Sequence, residues 1–566
     1  MKSTLGEPEY ARTVPTETPA QTPTDQHARA IVPLWAALVL AIASGPVLDA
    51  AHPDRGWWPL ILDGIALQLV SLIGRRAGTG ALVGFVGLGS FYLLHIEWAS
   101  TFLGPIPMLG LAGVMAIGGA LGGALIALTY QWVPQQWPGI AGRLVALPLA
   151  VAGVWTAREA FASVWPYGGF AWGRLAQSQA DSPISPLFAW VGISGVSFLM
   201  VLLVAVTIEA CRIGPLRVAS TGDTGLPWFA RVAAPVGLAA AMLAWPAFPV
   251  ATTGTFTVAV VQGAGPAGYF NEREAGDLLA AQVAATQPLF ADVADGTLSV
   301  DLVLWPEGSS DWDPTRDEFT ANVWSQISRK MGAPLLAQAV TTMDDRYYNT
   351  ALLWDGRPSA ERTGVLDAYD KRHPVPMGEY VPDRAFFEQL APDLVGLIQR
   401  EYTPGTTDAV MHIGDTVVAV NICFDIVDDA LLRESVLDGG RVILASSNNA
   451  DFGFSDESAQ QLAFARIRAI ELGRSVVNAS TVGITAVSAK DGSITAQLPW
   501  YEPGSIIADV PLADAITPAA AGGRQLEITI GALGLGILIT AGVLIGIDRR
   551  AGRAAASRHQ HPGATA

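Results

Sequence analysis

Long apolar runs constrain this chain more than any other feature. A helix needs roughly 20 residues to cross ~30 Å of hydrocarbon. Runs of that kind lie at about 31–50, 57–74, 79–98, 107–130, 142–161, 185–210, 228–248 and 526–547, so eight spans are expected. Of the 566 residues, 51% are hydrophobic and only 15% charged, which excludes a single soluble domain and a disordered chain. Gly and Ala crowd several runs, as in AIGGALGGALIAL from Ala116, where small residues let helices approach closely. Asp63 inside the second run is either a residue facing a bundle cavity or a helix-end residue.

Charge divides the chain. Residues 251–525 hold 18 Lys+Arg and 37 Asp+Glu, leaving 16 and 14 for everything else, so this stretch reads as one acidic, water-soluble domain. The net charge of −17 repels a phosphate backbone, and nucleic acid is excluded as a partner. The expected organisation is a tail at 1–30, a seven-span bundle at 31–250, the domain at 251–525, a last span at 526–547 and a basic tail at 548–566. If the spans alternate, Arg75, Arg76, Arg143, Arg212, Arg217, Arg231, Arg549, Arg550, Arg553 and Arg558 all fall on one side. The positive-inside rule then puts both tails in the cytoplasm and the domain outside the cell membrane.

Within the domain, apolar runs such as TFTVAVVQGA, SVDLVLWPEG, APLLAQAVTT, VVAVNICFDI and RVILASSN alternate with amphipathic stretches, which predicts an α/β fold with sheets buried on both faces. No phosphate-binding glycine loop and no His/Cys cluster of zinc spacing occurs, so neither a cofactor nor a metal is expected.

Two cysteines remain. Cys211 falls at the cytoplasmic end of the sixth run and Cys423 in the domain, so they do not pair. Cys423 is either a buried, inert thiol or a nucleophile. A nucleophile needs a base and a nearby cation. LVLWPEGSS sets Glu307 just past a strand, and AYDKRHPVPMGEYVP supplies Lys371 and Glu379. Lys371 and the backbone N–H of Phe424 are candidate donors to an oxyanion.

Glu307 in Trp-Pro-Glu, Lys371 in Tyr-Asp-Lys-Arg-His, Glu379 in Gly-Glu-Tyr-Val-Pro and Cys423 in Asn-Ile-Cys, in this order, resemble the carbon–nitrogen hydrolase (nitrilase) superfamily. With the spans and WPYGGFAWGRLAQSQ from Trp165, the chain is similar to the apolipoprotein N-acyltransferase family. The resemblance implies an αββα sandwich seated on a membrane bundle and a Glu307–Lys371–Cys423 triad. It also implies a phospholipid acyl donor, a diacylglyceryl-lipoprotein acceptor, a Cys423 thioester and a monomeric enzyme. Glu379 matches the family's second essential carboxylate. Phe424 and Asp425 stand where the family usually has Tyr-Glu, Ala171 where a Pro is common, and Met377 where Phe is usual. Trp172, Tyr380 and Phe386, with Trp312 and Phe387, are candidates for a lipid entrance or lid. Two other readings are a membrane-anchored amidase that uses water as acceptor and a non-catalytic binding scaffold.

Overall fold

The computed structural model describes residues 29–213, 228–360 and 362–559. The expectations for the first 28 residues, for Arg217 and for the last seven residues lie outside them.

Helices form at all eight apolar runs, and six of them are long and apolar enough to cross a membrane. The other two are shorter than expected. The run at 57–74 contains only the 13-residue helix Leu60–Leu72, because Pro59 starts it and the chain turns out at Gly74, at φ +70°. The run at 228–248 yields Trp228–Leu243, since Pro246 and Pro249 keep the following residues extended. Asp63 sits exposed in the first turn of Leu60–Leu72, so it is a helix-end residue and faces no cavity. The last helix is longer than expected and starts at Pro518.

The glycine-rich helices pack as their composition predicts. A Cβ on Gly84 would stand 2.1 Å from the carbonyl oxygen of Gly119, and one on Gly80 would stand 2.7 Å from that of Gly123. Only bare backbone fits where Ala77–His95 meets Pro105–Gln136.

The strands of the domain are β1 (Gly254–Gln262), β2 (Leu302–Leu304), β3 (Leu335–Met343), β4 (Arg346–Asp355), β5 (Gly364–Asp370), β6 (Val410–Ile413), β7 (Thr416–Ile422), β8 (Ile443–Ser447), β9 (Val476–Ser480), β10 (Ala486–Ser488), β11 (Ile494–Gln497) and β12 (Gly504–Leu512). They form two six-stranded sheets, ordered β12-β1-β2-β3-β4-β5 and β11-β10-β9-β8-β7-β6. In each sheet the middle pairs, β1–β2–β3 and β7–β8–β9, are parallel, and the flanking pairs are antiparallel. The sheets face each other through β1 and β9. Helices Asp277–Thr286 and Glu318–Met331 cover one sheet, and Asp429–Leu437 and Glu457–Leu472 cover the other. This is the expected αββα order. Covered on both faces, β2, β8 and β9 are buried at every residue, which is why they read as unbroken apolar runs.

The domain is fastened to one end of the bundle by buried polar contacts. Gln460 Oε1 accepts from Trp172 Nε1 at 2.6 Å and from Trp98 Nε1 at 3.0 Å, and its Nε2 donates to the carbonyl of His95 at 3.3 Å. Residues 171–180, between two membrane helices, are buried throughout at this junction. Helix Phe188–Ile213 breaks at Gly192, at φ +66°, where the N–H of Ile193 donates to Glu471 Oε1 of the domain at 3.1 Å. Arg212 therefore lies about 27 Å from Ser194, at the opposite end of that helix. There Arg212 and Arg143 both hold Glu209, and Arg75 holds the carbonyls of Val32 and Pro33.

Candidate active site

Three strand ends meet at the site. Glu307 follows β2, Lys371 follows β5 and Cys423 follows β7, so residues distant in sequence converge at the carboxyl edges of both sheets. Cys423 itself adopts φ +51°, the left-handed turn that stops β7 and starts the short helix Cys423–Val427. A first helical turn leaves its N–H groups without intrahelical partners, and that of Phe424 is one of them.

Glu307 is anchored through its main chain. Trp305 is fully buried and donates from Nε1 to Thr286 Oγ1 at 3.1 Å, while Thr481 Oγ1 donates to the Glu307 carbonyl at 2.6 Å. Its carboxylate accepts from Asn349 Nδ2 at 2.6 Å and from the N–H of Asn448 at 2.8 Å. Lys371 is 1% exposed, with Nζ 2.7 Å from Glu379 Oε2 and 3.9 Å from Glu307 Oε1. Asn349 Nδ2 also donates to Glu379 Oε1 at 3.0 Å, and the N–H of Val375 donates to Glu379 Oε2 at 2.7 Å. One ammonium thus lies between two carboxylates that share an amide.

Electrostatics follow from that arrangement. Burial pushes the Glu307 carboxyl above its usual range; Lys371 opposes this and Glu379 adds to it. Burial works against the Lys371 ammonium, but Glu379, Cys423 and Glu307 outweigh it and hold its pKa above the ordinary lysine value. Burial and the charge of Glu307 push the Cys423 thiol up, against the pull of Lys371. The sulfur therefore rests as a thiol, and beside it stands a carboxylate made more basic than usual.

A second set of residues gave no signal in the sequence. Asn449 Oδ1 accepts from Ser480 Oγ at 2.5 Å and from Ser447 Oγ at 3.1 Å. Its Nδ2 donates to Glu457 Oε2 and to Gln461 Oε1, both at 2.7 Å. With its oxygen held, Gln461 must turn its Nε2 toward Cys423 Sγ, 3.9 Å away. Burial pushes the Glu457 carboxyl up to about 8, so near neutrality it is mostly uncharged. The only available hint was polar residues clustered where strands end, in SSNN and in ESAQQ.

The supporting residues take varied positions. Asp425 is fully buried, accepting from Tyr369 Oη at 2.8 Å and from the N–H of Ile422 at 3.1 Å, so it braces the turn that carries Cys423. The Asp425 carboxylate, 3.6 Å from His373 Nδ1, raises the His373 imidazole pKa against burial, and Asp428 adds to the effect. Trp172 is buried and stacks on Phe424 at an interplanar angle of 4°, so it forms a wall of the site and not an open entrance. Tyr380 lines a cavity of about 190 Å3, together with Tyr167, Gly169, His373, Phe424 and Val427, between the bundle's 163–171 loop and the domain. Phe386 is 62% exposed on the short helix Arg384–Leu390. That segment is tied to the bundle by the Tyr167 hydroxyl, which donates to Asp383 Oδ2 at 2.7 Å. Phe387 packs with Leu103, Val381, Val395 and Ile398, whereas Trp312 packs against Phe319. Both cysteines are free, and no His/Cys/Asp/Glu cluster able to hold a metal occurs among the described residues.

Comparison with known proteins covers both parts of the chain. A family model described as the apolipoprotein N-acyltransferase N-terminal domain matches residues 44–206, and one described as carbon-nitrogen hydrolase matches residues 257–518. The apolipoprotein N-acyltransferase of Mycolicibacterium smegmatis is 31% identical over 528 residues, covering 89% of this chain and 85% of that protein. The one from Shewanella oneidensis is 27% identical over 536 residues, covering 91% and 96%. Among solved structures, an amidase from Nesterenkonia sp. aligns with a TM-score of 0.36 at 17% identity, covering 50% of this chain and 99% of that one. Saccharomyces cerevisiae Nit3, a nitrilase-superfamily member, aligns at 0.34 and 17%, covering 48% and 94%.

Proposed function

The chain belongs to the apolipoprotein N-acyltransferase family and acts in lipoprotein N-acylation, and we propose that it does so through a Cys423 thioester made and consumed by Glu307 and Lys371. The observation that carries this reading is the buried ammonium of Lys371 between Glu307 and Glu379, acting on the sulfur of Cys423 at the membrane-facing edge of the domain.

The cycle has two halves. Glu307 takes the thiol proton as Cys423 Sγ attacks the ester carbonyl carbon of a phospholipid. The carbonyl oxygen becomes an oxyanion, stabilised by Lys371 Nζ and the N–H of Phe424. When the C–O bond breaks, Glu307 returns the proton to the departing glycerol oxygen, and a lysophospholipid leaves. The amine of a lipoprotein's diacylglyceryl-cysteine then attacks the thioester, Glu307 removes an amine proton, and the C–S bond breaks to give the amide. The proton ends on sulfur, and the cycle is closed. Glu379 holds Lys371 in place, Asp425 braces the turn, and Tyr380, Phe386 and the 163–171 loop border the lipid path.

The cation-bearing helix ends, with Arg75, Arg143 and Arg212, lie opposite the domain, which supports cytoplasmic tails and an extracytoplasmic domain. The anchored-amidase and scaffold readings are not favoured, because residues 44–206 match an N-acyltransferase domain.

The test is mass spectrometry of the full chain after incubation with phospholipid. An acyl adduct is expected on Cys423, discharged by a lipopeptide amine and slowly by water. It should vanish in Cys423→Ala and persist in Cys211→Ala; loss of the adduct in both variants, or its rapid discharge by water, refutes the proposal.

A further inference from the structure

The cavity beside Phe424 has a neighbour. Four of its wall residues, Ser163, Ala171, Val427 and Asp428, also line a second cavity of about 80 Å3 between the domain and the adjoining helix ends. Its volume holds a few waters or one small polyatomic group. Val164 on its rim is 54% exposed, and Phe161 and Trp165 beside it are exposed and in ring contact with each other. The mouth thus lies at the lipid-facing ends of membrane helices.

The charged groups around this second cavity are paired, with one exception. Arg174 Nη1 lies 2.7 Å from Asp429 and its Nη2 lies 3.8 Å from Glu527; Arg468 holds Asp429 at 2.6 Å and also binds Glu471. Arg524 holds Glu527 at 2.7 Å, and Ser194 Oγ donates to Glu527 at 2.6 Å. Asp428 caps helix Asp429–Leu437 through its Oδ1, and its Oδ2 lies 3.5 Å from His373 Nε2. Each carboxylate already has its cation. Arg433, half-buried on the same wall, has no hydrogen bond or ion pair among the described residues. Arg433 is therefore the guanidinium on this wall without a carboxylate of its own, whereas His373 lies between Asp425 and Asp428. A half-buried guanidinium without a partner is unfavourable unless a ligand or water satisfies it.

We propose that this second cavity binds the phosphodiester of a glycerophospholipid, with Arg433 as its main contact and Arg524 as the second. The inference rests on the acyl-donor reading above and adds the part of the donor that is recognised. A phosphodiester carries one negative charge, which matches the one unpaired cation, and its paired oxygens suit the fork of a guanidinium. Because the two cavities share wall residues, a phosphate held here directs the glycerol ester toward the cavity lined by Phe424, the residue after Cys423.

The test uses the full chain in lipid nanodiscs and measures Cys423 thioester formation from two donors with identical acyl chains, a phospholipid and a diacylglycerol. The wild type is expected to prefer the phospholipid. Arg433→Ala should raise the KM for phospholipid about tenfold with little change in kcat, the loss expected for one charge-assisted hydrogen bond. Arg433→Lys should restore part of the preference. A lysophospholipid should compete and inorganic phosphate at the same concentration should not. An unchanged preference in Arg433→Ala, an equal loss with both donors, or equal competition by inorganic phosphate overturns the proposal. Failure of the wild type to form a thioester from either donor is a different result, and it removes the acyl-donor reading along with this one.

Discussion

Replacing Glu379 by Gln isolates what holds Lys371 in place. Lys371 Nζ lies 2.7 Å from Glu379 and 3.9 Å from Glu307. At an effective dielectric of 20 those distances correspond to attractions of about 6 and about 4 kcal/mol before desolvation. Without the first, the ammonium is drawn to Glu307 alone, away from the place where an oxyanion forms. The amide also matches poorly, because if its oxygen keeps the bonds from Lys371 and Val375, its NH2 faces the donating Asn349 Nδ2. Glu307 then loses a neighbouring negative charge and gains a closer positive one, so its raised pKa must fall and its basicity with it. In the proposed cycle acylation depends on ionised Glu307, so its rate falls as pH drops through that pKa. In the variant this acid limb should move down by about one pH unit while the plateau rate drops about a hundredfold, or about 2.7 kcal/mol. The assay is single-turnover acylation of Cys423 by a fluorescent phospholipid between pH 4 and 9, with circular dichroism as the folding control. A plateau within threefold of wild type and an unmoved limb would refute the role given to Glu379.

Three further outcomes are expected. Gly84→Val should destabilise the bundle by about 1–3 kcal/mol, because its Cβ would meet the Gly119 carbonyl at 2.1 Å; Gly118→Ala, with nothing within 4 Å of its Cβ, should melt like wild type in detergent. Glu457 keeps its proton in the native state up to about 8, whereas an unfolded glutamate loses it near 4.3. Its contribution therefore weakens the fold as pH rises between those values, by up to about 4 kcal/mol. Glu457→Gln should gain in melting temperature over wild type from pH 5 to pH 8, and a constant difference would contradict the reasoning. Gln461→Leu removes the donor facing Cys423 Sγ, so alkylation by iodoacetamide should need a higher pH; an unchanged pH profile would show that the 3.9 Å contact does not act on the thiolate.

What the sequence shows and what it hides follow from the range of the forces involved. Hydropathy is summed over many residues, so every apolar run was visible. The cuts at Pro59 and Pro246 depend on single residues, and they shortened two of the helices. Glu307 and Cys423 were legible because each follows a recognisable strand and has distinctive neighbours, and Lys371 because of the motif around it. Asn349, Asn449, Glu457 and Gln461 were not, since each acts through partners on other elements. Asn349 did leave a trace as a polar residue opening the buried run of β4. Arg468 and Arg474 stand among apolar residues at helical spacing, yet both are about 1% exposed. Glu471 stands one helical turn from Arg468, but nothing local reveals that Asp429 awaits it across the fold.

Those buried arginines bear on how the sulfur is kept at the membrane. A hydrophobic junction between domain and bundle would resist separation but permit sliding, because dispersion and burial are nearly indifferent to small lateral shifts. Hydrogen bonds and ion pairs are not indifferent, since each fails within a few tenths of an ångström and leaves a buried polar group unsatisfied. Gln460 locks onto Trp98, Trp172 and His95, and Arg174 reaches from the bundle to Asp429 in the domain. Trp172, fixed by the first of these sets, stacks directly on Phe424, the residue after Cys423. The position of Cys423 relative to the helix ends is thereby set by polar geometry, and the surrounding apolar surface supplies the adhesion. The proposed acyl transfer, in which Cys423 meets an ester at one depth in a bilayer, needs the first property as much as the second.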